Sequence, residues 1–186
     1  VLTGRSTLHL RARHFRPDWS HIRMAVGLGV PASIEQAIRT FSSLLLMALA
    51  ASFGTLGLAA YGVGARPLFF WFTPMIGLSI ATAAVVGQNI GAGLAARAEE
   101  AARLATWAAF LGFTAIGLLH LPFVPWMMGL LAPGEPQIVA AASTFGYIYF
   151  PFLGVLAAPQ ALLGAFRGAG STRHSMTISI AMQWLF

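Results

Sequence analysis

Two charged residues one helical turn apart, and a third in the next apolar stretch, are the side chains best placed for chemistry in this 186-residue chain. Glu35 precedes Arg39 by four residues, so on a helix the two stack on one face and can form an ion pair. Each charge costs about 2.5–3.5 kcal/mol at the middle of a bilayer, so charges at such positions predict a functional site. Four residues are therefore candidates for a substrate or ion pathway: Glu35, Gln36, Arg39 and Arg66.

A purely structural explanation competes with this functional one. The Glu35–Arg39 pair can lock helix packing without contacting a substrate, and Arg66 can extend its guanidinium group to the lipid headgroups. At the rise of an α-helix, Glu35 lies about 16 Å and Arg39 about 22 Å along a helix that begins near Met24. By the same rise Arg66 lies about 12 Å from the opposite surface. We therefore expect all three residues to approach the middle of the bundle.

The sequence contains no motif for thiol chemistry, hydrolysis or phosphoryl transfer. The chain has no Cys, and it lacks the HExxH, GxSxG and GxxxxGK[ST] patterns of metalloproteases, serine hydrolases and P-loop enzymes. We interpret His120 as an interfacial residue at a helix end. The aromatic run Phe69–Phe72 favours lipid-facing packing over a drug cavity. We expect no enzymatic activity, no catalytic residue, no metal site and no bound cofactor.

The composition predicts an integral membrane protein. Hydrophobic residues make up 58% of the chain and charged residues only 9%, whereas a soluble domain carries roughly 25% charged residues. The net charge is +6, but nucleic-acid binding requires a basic face on a polar domain. Here the 11 basic residues, all Arg, interrupt long apolar runs. We therefore expect the lipid bilayer as a partner and no nucleic acid.

The spacing of the charges predicts an all-α, polytopic transmembrane bundle. Four uncharged runs are 26, 30, 31 and 31 residues long, and about 20 apolar residues cross a bilayer. Each run therefore holds one helix and a short connection. The ~10-residue alternation of a β-barrel strand is absent. The expected helices span about 24–52, 58–86, 101–124 and 138–165, with a fifth beginning near 174 and truncated at 186.

Two glycine pairs are spaced for close helix contact. They are Gly87 with Gly91 and Gly164 with Gly168, each pair four residues apart. All four lie near predicted helix ends, where glycine can equally serve as a cap.

The distribution of Arg gives an orientation. Along the chain, the segments outside the predicted helices carry 5, 0, 2, 0 and 2 basic residues. Arg concentrates on the cytoplasmic side, so the N-terminal segment and every second connection are expected inside. The localisation expected is the cytoplasmic (inner) membrane of a bacterium.

Four stretches, in this order, resemble the multidrug and toxic compound extrusion (MATE) family. They are GVPASIEQ at 29–36, FGTLGLAAYGVGAR at 53–66, GLSIATAAVVGQNIGAG at 77–93 and FRGAGSTR at 166–173. The third stretch ends in a cytoplasmic loop motif formed by Gly87, Gln88, Asn89, Gly91 and Gly93. Together the resemblance covers about residues 18–186.

The resemblance implies twelve helices in two six-helix lobes. Residues 1–23 are then the end of the basic cytoplasmic linker, and residues 24–186 a partial C-terminal lobe that lacks its N-terminal partner lobe. The resemblance further implies export of small organic, often cationic, compounds by antiport with Na⁺ or H⁺. Because the chain begins at Val1 and ends in an apolar run, we expect it to be a fragment.

The sequence departs from the family pattern at the position of one carboxylate. Some Na⁺-linked members carry a Glu eight residues after the Pro of helix seven and an Asp in helix ten. Eight residues after Pro31 is Arg39, and the predicted helix 138–165 contains no acid. A cation site of that kind is therefore not expected in this lobe, and coupling would reside at Glu35 or in the other lobe.

Two alternatives to an antiporter remain at this point. A lipid-linked oligosaccharide flippase shares the lobe architecture, and Arg39 and Arg66 would suit a pyrophosphate. A membrane-embedded enzyme is disfavoured, because no set of nucleophile and base exists. An acid in the cavity of the other lobe would favour the antiporter, whereas a cluster of Arg there would favour the flippase.

Overall fold

The computed structural model describes residues 19–171 and 174–179, and every regular element in those ranges is helical. The six α-helices are α1 (Trp19–Ser52), α2 (Gly54–Gly91), α3 (Ala95–His120), α4 (Val124–Leu131), α5 (Pro136–Tyr149) and α6 (Leu153–Gly168). Residues 174–179 form a further helical segment. Residues 1–18, 172–173 and 180–186, with most of the proposed linker and the end of the fifth helix, lie outside the described residues.

The prediction of an all-α transmembrane bundle is confirmed. Within the described ranges, four helical stretches are long and apolar enough to cross a membrane: Ser33–Ser52, Gly54–Gly91, Ala95–Leu131 and Pro136–Gly168. The helices extend beyond the predicted bounds, because charged and polar residues at their ends continue the helix outside the apolar run. The third predicted helix, for example, begins at Ala95 and not near 101.

Two 3₁₀ turns interrupt spans that were predicted as single helices. Leu121–Phe123 separates α3 from α4, and Phe150–Phe152 separates α5 from α6. Each turn contains a proline, Pro122 or Pro151, which cannot donate the backbone hydrogen bond that an α-helix needs and clashes with the carbonyl four residues earlier. The span predicted at about 138–165 is thus present as Pro136–Gly168, divided by this turn into α5 and α6.

Glycines bring α6 into backbone contact with α2. A Cβ on Gly164 would overlap the carbonyl of Ser79, and one on Gly168 would overlap the carbonyl of Ala83. On α2, a Cβ on Gly87 would lie 3.2 Å from the Gly168 carbonyl oxygen. The predicted close contact is confirmed for these glycines, whereas Gly91 faces open space.

The N-terminal end of α6 and the 3₁₀ turn before it pack on α3 in the same way. A Cβ on Gly154 would overlap Thr114, and one on Gly117 would overlap the carbonyl of Phe150. The hydrophobic core lies between these helices and is centred on fully buried side chains, including Met75, Met128, Phe150 and Leu153. Helices α2, α3 and α6 thus form a closely packed unit, while α1 is the least buried of the four spans.

The glycine contact between α2 and α6 can be tested by adding one methyl group. We expect Gly164→Ala to lower the free energy of unfolding by about 1–3 kcal/mol, because an overpacked contact must move apart. The measurement is thermal unfolding of the full-length protein in detergent.

The control is Gly77→Ala on α2, where a Cβ meets nothing within 4 Å. We expect this variant to be neutral or slightly stabilised, because Ala favours a helix over Gly. Equal losses of stability in the two variants would contradict the close contact at Gly164.

Candidate functional site

The candidate site is centred on the carboxylate of Glu35, which is only 6% exposed. Three side chains donate hydrogen bonds to its Oε1 atom. Arg167 Nη2 lies 2.6 Å away, Ser179 Oγ 3.0 Å and Arg39 Nη2 3.4 Å. We call these four residues the Glu35 cluster.

The Glu35 cluster joins three helical elements. Glu35 and Arg39 lie one turn apart on α1, as the sequence predicted, and their ion pair is confirmed. Arg167 lies one residue before the end of α6, and Ser179 lies on the helical segment 174–179. The guanidinium carbon of Arg39 also lies 5.3 Å from the centre of the Phe72 ring on α2. The cluster therefore connects the least buried span to the closely packed helices.

The charges of the cluster determine what it can bind. An ionised Glu35 faces two guanidinium groups, so the positive charge around it exceeds its own negative charge. The hydrogen bonds between these charged groups are about twice as strong as those between neutral groups. A metal ion or an organic cation that binds the Oε1 atom of Glu35 would compete with Arg167 and Arg39. The side chains of Arg39 and Arg167 remain 26% and 37% exposed, so both can be reached from the surface of the bundle.

Two of the four predicted pathway residues lie outside the cluster. Gln36 follows Glu35 on α1, but its side chain is exposed. Arg66 is exposed on α2 and contacts no member of the cluster in the described part of the chain. Arg66 thus lies apart from Glu35 and Arg39, and whether it approaches the middle of the bundle or extends to the lipid headgroups stays a prediction.

Sequence reasoning missed Arg167 and Ser179. Their partner Glu35 lies 132 and 144 residues away along the chain, so no helical spacing rule relates them. Arg167 was counted only as a basic residue flanking a helix. The one available signal was the buried acid itself, because a charge buried in a bundle requires compensation.

The loop motif mostly belongs to a helix end. Gly87, Gln88, Asn89 and Gly91 lie within α2, and only Gly93 lies in the turn that follows. Asn89 donates a side-chain hydrogen bond to the Val85 carbonyl at 2.8 Å. Gly93 has a φ of +74°, the left-handed conformation that commonly ends a helix. The motif therefore ends α2 and directs the chain into α3.

The aromatic run on α2 divides between two faces. Phe69 and Phe70 are exposed, which agrees with the lipid-facing interpretation. Trp71 instead packs inward, with ring centres 6.3 Å from Phe113 and 5.2 Å from His120. Among the described residues, no three His, Cys, Asp or Glu side chains are grouped so that they could hold a metal ion.

Comparison with known proteins identifies relatives over most of the chain. The MatE family model matches residues 31–186. A probable multidrug resistance protein NorM of Pseudomonas aeruginosa is 26% identical over 183 residues, which cover 91% of this chain and 36% of the relative. The NorM of Thermotoga maritima is 25% identical over 189 residues, covering 99% of this chain and 39% of the relative.

A third relative, probable multidrug resistance protein YoeA of Bacillus subtilis, is 23% identical over 172 residues, covering 92% of this chain and 37% of the relative. The chain thus spans somewhat more than a third of the length of the curated relatives it matches. No solved structure matches the chain.

The link between α1 and α6 can be tested by a double-mutant cycle. We expect Arg167→Gln to lower the free energy of unfolding by about 1–3 kcal/mol, because it removes the shortest hydrogen bond to a buried carboxylate. In a Glu35→Gln background, Arg167→Gln is expected to lower the free energy of unfolding by less. The losses in the two backgrounds should differ by at least about 0.5 kcal/mol. The measurement is unfolding of the full-length protein in detergent.

The control is Arg103→Gln, since Arg103 is exposed on α3. It is expected to have the same small effect in both backgrounds. If the two backgrounds give additive losses for Arg167→Gln as well, the Glu35–Arg167 pair does not form in the folded protein.

Proposed function

Because this chain belongs to the MatE family, whose members are transporters, we propose that it forms part of a secondary active transporter exporting small organic compounds by antiport with Na⁺ or H⁺. The match of the family model to residues 31–186 carries the proposal. The names of the relatives, probable multidrug resistance proteins, support drug-like organic substrates, and the family resemblance adds that these are often cationic. In this proposal the chain supplies part of the C-terminal lobe and works with an N-terminal lobe.

The Glu35 cluster suits a role in coupling ion binding to movement. A proton or Na⁺ that binds Glu35 competes with Arg167, and loss of that ion pair frees α1 from α6. An ion shifts a conformational equilibrium only if it binds one state better than the other. When Arg167 lies 2.6 Å from Glu35, the guanidinium group occupies the carboxylate oxygen that the proton or Na⁺ would bind. The bound ion therefore favours the state in which Arg167 and Glu35 are separated.

Exposed polar residues on α1 and α2 suit a hydrated path. Arg66 lies twelve residues after the start of α2, about 18 Å along the helix axis. An Arg exposed to lipid at that depth is costly, so we place Arg66 against water or the other lobe. Gln36, exposed on α1, is assigned to the same path.

The flippase remains a second candidate because of one observation. Arg39 and Arg167 converge on a single oxygen and both stay partly exposed, an arrangement that could hold a phosphate in place of the Glu35 carboxylate. A lipid-linked pyrophosphate would then occupy the position proposed here for ion exchange.

The chain is a multi-pass membrane protein, and we place it in the bacterial cytoplasmic membrane with its N-terminal segment inside. The contact between Gly87 and Gly168 brings the ends of α2 and α6 together. These two ends adjoin the segments carrying Arg97, Arg103 and Arg167, while Glu135 lies at the turn before α5. Arg gathered at one end of the bundle supports a cytoplasmic location for that end.

The proposal predicts ion-driven efflux that depends on Glu35. In a drug-sensitive bacterium producing the full-length protein, we expect ethidium efflux to require a Na⁺ gradient or to stop when a protonophore is added. Glu35→Gln is expected to slow this efflux about tenfold, the effect of losing roughly 1.4 kcal/mol of interaction. The measurement is the fluorescence of ethidium-loaded cells.

The matched control is Glu135→Gln, the same chemical change at an exposed residue outside the cluster. Its efflux should equal that of the wild type. Unchanged efflux in Glu35→Gln would leave Glu35 as a packing residue and move coupling to the other lobe. Absence of efflux for every organic cation tested would favour the flippase.

A further inference from the structure

A groove lies between α4 and α5, at the opposite end of the bundle from Arg167 of the Glu35 cluster. Its volume is about 480 Å³, within the range of roughly 300–1,000 Å³ that is usual for small-molecule sites. Glu135, in the turn between the two helices, lines one end of the groove. Its walls include Pro125, Gly129 and Ala132 of α4 and Val139, Ala140 and Ser143 of α5.

The ends of two membrane spans meet at this groove. Ala95–Leu131 and Pro136–Gly168 are both long and apolar enough to cross a membrane, and the turn that holds Glu135 joins them. Glu135 therefore lies at the level of the lipid headgroups. Ser143 follows eight residues later on α5, about 12 Å along the helix axis. The groove thus begins near the headgroups and continues toward the hydrocarbon layer.

The inner end of the groove holds a hydroxyl group without a partner. Ser143 is only 7% exposed, and within the described residues its Oγ makes no hydrogen bond. A helical Ser or Thr often bonds the carbonyl one turn earlier, as the neighbouring Thr144 does with Ala140 at 3.2 Å. The Ser143 hydroxyl rotates about one bond, so it can donate to an acceptor placed in the groove. Three other buried hydroxyls lack a partner in the described part of the chain but do not line this groove: those of Ser79, Tyr149 and Ser175.

The outer end of the groove carries a carboxylate. Glu135 is exposed, and none of the described residues that line the groove is basic. A primary ammonium group has three N–H donors for such a carboxylate, whereas a quaternary ammonium group has none. The groove therefore suits a molecule with an ammonium group at one end, an apolar body, and a hydrogen-bond acceptor between the two.

The side of the groove is open and apolar. Gly129 has no side chain, and a Cβ there would meet no atom within 4 Å. Trp126 and Leu130, which follow Pro125 and Gly129 on α4, are both exposed. Trp is frequent where a membrane span reaches the headgroups. These surroundings favour an occupant that comes from the bilayer over one that comes from water.

We propose that the groove between α4 and α5 binds a phospholipid with a primary ammonium headgroup. The ammonium group contacts Glu135, and an ester carbonyl accepts a hydrogen bond from Ser143. An acyl chain lies along the open wall at Gly129. A phospholipid presents these groups in the same order from the membrane surface inward. A lipid with only an anionic headgroup is disfavoured, because it brings like charge close to Glu135.

The first test measures which headgroups the groove prefers. The full-length protein in detergent is titrated with dioleoyl lipids carrying ethanolamine, choline or glycerol headgroups, and binding is measured by native mass spectrometry. We expect the ethanolamine lipid to bind most tightly. Glu135→Gln is expected to weaken its binding about threefold, as for an exposed ion pair, and to reduce the headgroup preference. Ser143→Ala is expected to weaken binding about fivefold without changing that preference, because all three lipids carry the ester carbonyl.

Two further variants fill the groove without changing its polar groups. Gly129→Leu and Ala140→Leu are each expected to remove most of the binding of the ethanolamine lipid, because the new side chain occupies the space of the acyl chain. The control is Gly112→Leu on α3, where a Cβ also meets nothing within 4 Å, and it should bind as wild type. Thermal unfolding identifies the folded variants. Wild-type affinity in either folded groove variant, or equal affinity of the wild type for the three lipids, overturns the proposal.

The second test locates the lipid and identifies the class of occupant. An ethanolamine lipid with a diazirine in its acyl chain is added in equimolar amount to the full-length protein in detergent and irradiated. We expect crosslinked peptides from residues 124–143, and crosslinks confined to other helices would overturn the proposal. Ethidium tests for an occupant from water. Ethidium binding that Gly129→Leu removes, together with no preference among the three lipids, would replace the lipid by a soluble organic cation.

The lipid site does not rest on the proposed function. Its occupant is a component of the bilayer and not the exported compound, so ethidium efflux is not expected to depend on Glu135. A protein that exports no compound but binds the ethanolamine lipid in the groove would contradict the transporter and leave the lipid site standing. Active efflux without lipid preference would do the reverse.

Discussion

A carboxylate in an apolar helix bundle must be compensated, and the attachment of α1 depends on how this is achieved. An ionised carboxylate transferred to a low-dielectric interior loses several kcal/mol of hydration. Glu35 recovers this through Arg167, Ser179 and Arg39, which come from three different helical elements. Because α1 buries less of its surface than the other spans, these polar contacts add to its limited packing against them.

The remaining helices are held by a different principle. Between α2, α3 and α6 the contacts are backbone to backbone through glycine, which suits a membrane, where lipid is as apolar as the side chains and association relies on close packing. The bundle thus combines a tightly packed unit with one less buried span that is also joined to it by charge. A charge-based contact responds to protons and ions, whereas a glycine contact does not. The element best suited to respond to an ion is therefore α1.

Local patterns in the sequence predicted the features that depend on residues close together along the chain. The length of the uncharged runs predicted four spans, and the four-residue spacing predicted the Glu35–Arg39 pair. The 3₁₀ turn at Phe150–Phe152 was missed, although Pro151 marks it, because prolines are often tolerated inside membrane helices. Arg167 and Ser179 were missed for another reason: their contacts with Glu35 depend on how α1 and α6 pack, which a helical repeat does not encode.

The separation of Glu35 from Arg167 has a consequence for the order in which the protein is made. The two residues are 132 positions apart, which at 5–20 residues per second corresponds to about 7–26 seconds of synthesis. During that interval α1 can enter the membrane while Arg167 has not yet been translated. Arg39, one turn away, is the partner that is present throughout. The weaker contact at 3.4 Å thus accompanies Glu35 into the bilayer, and the stronger one is made only when α6 arrives.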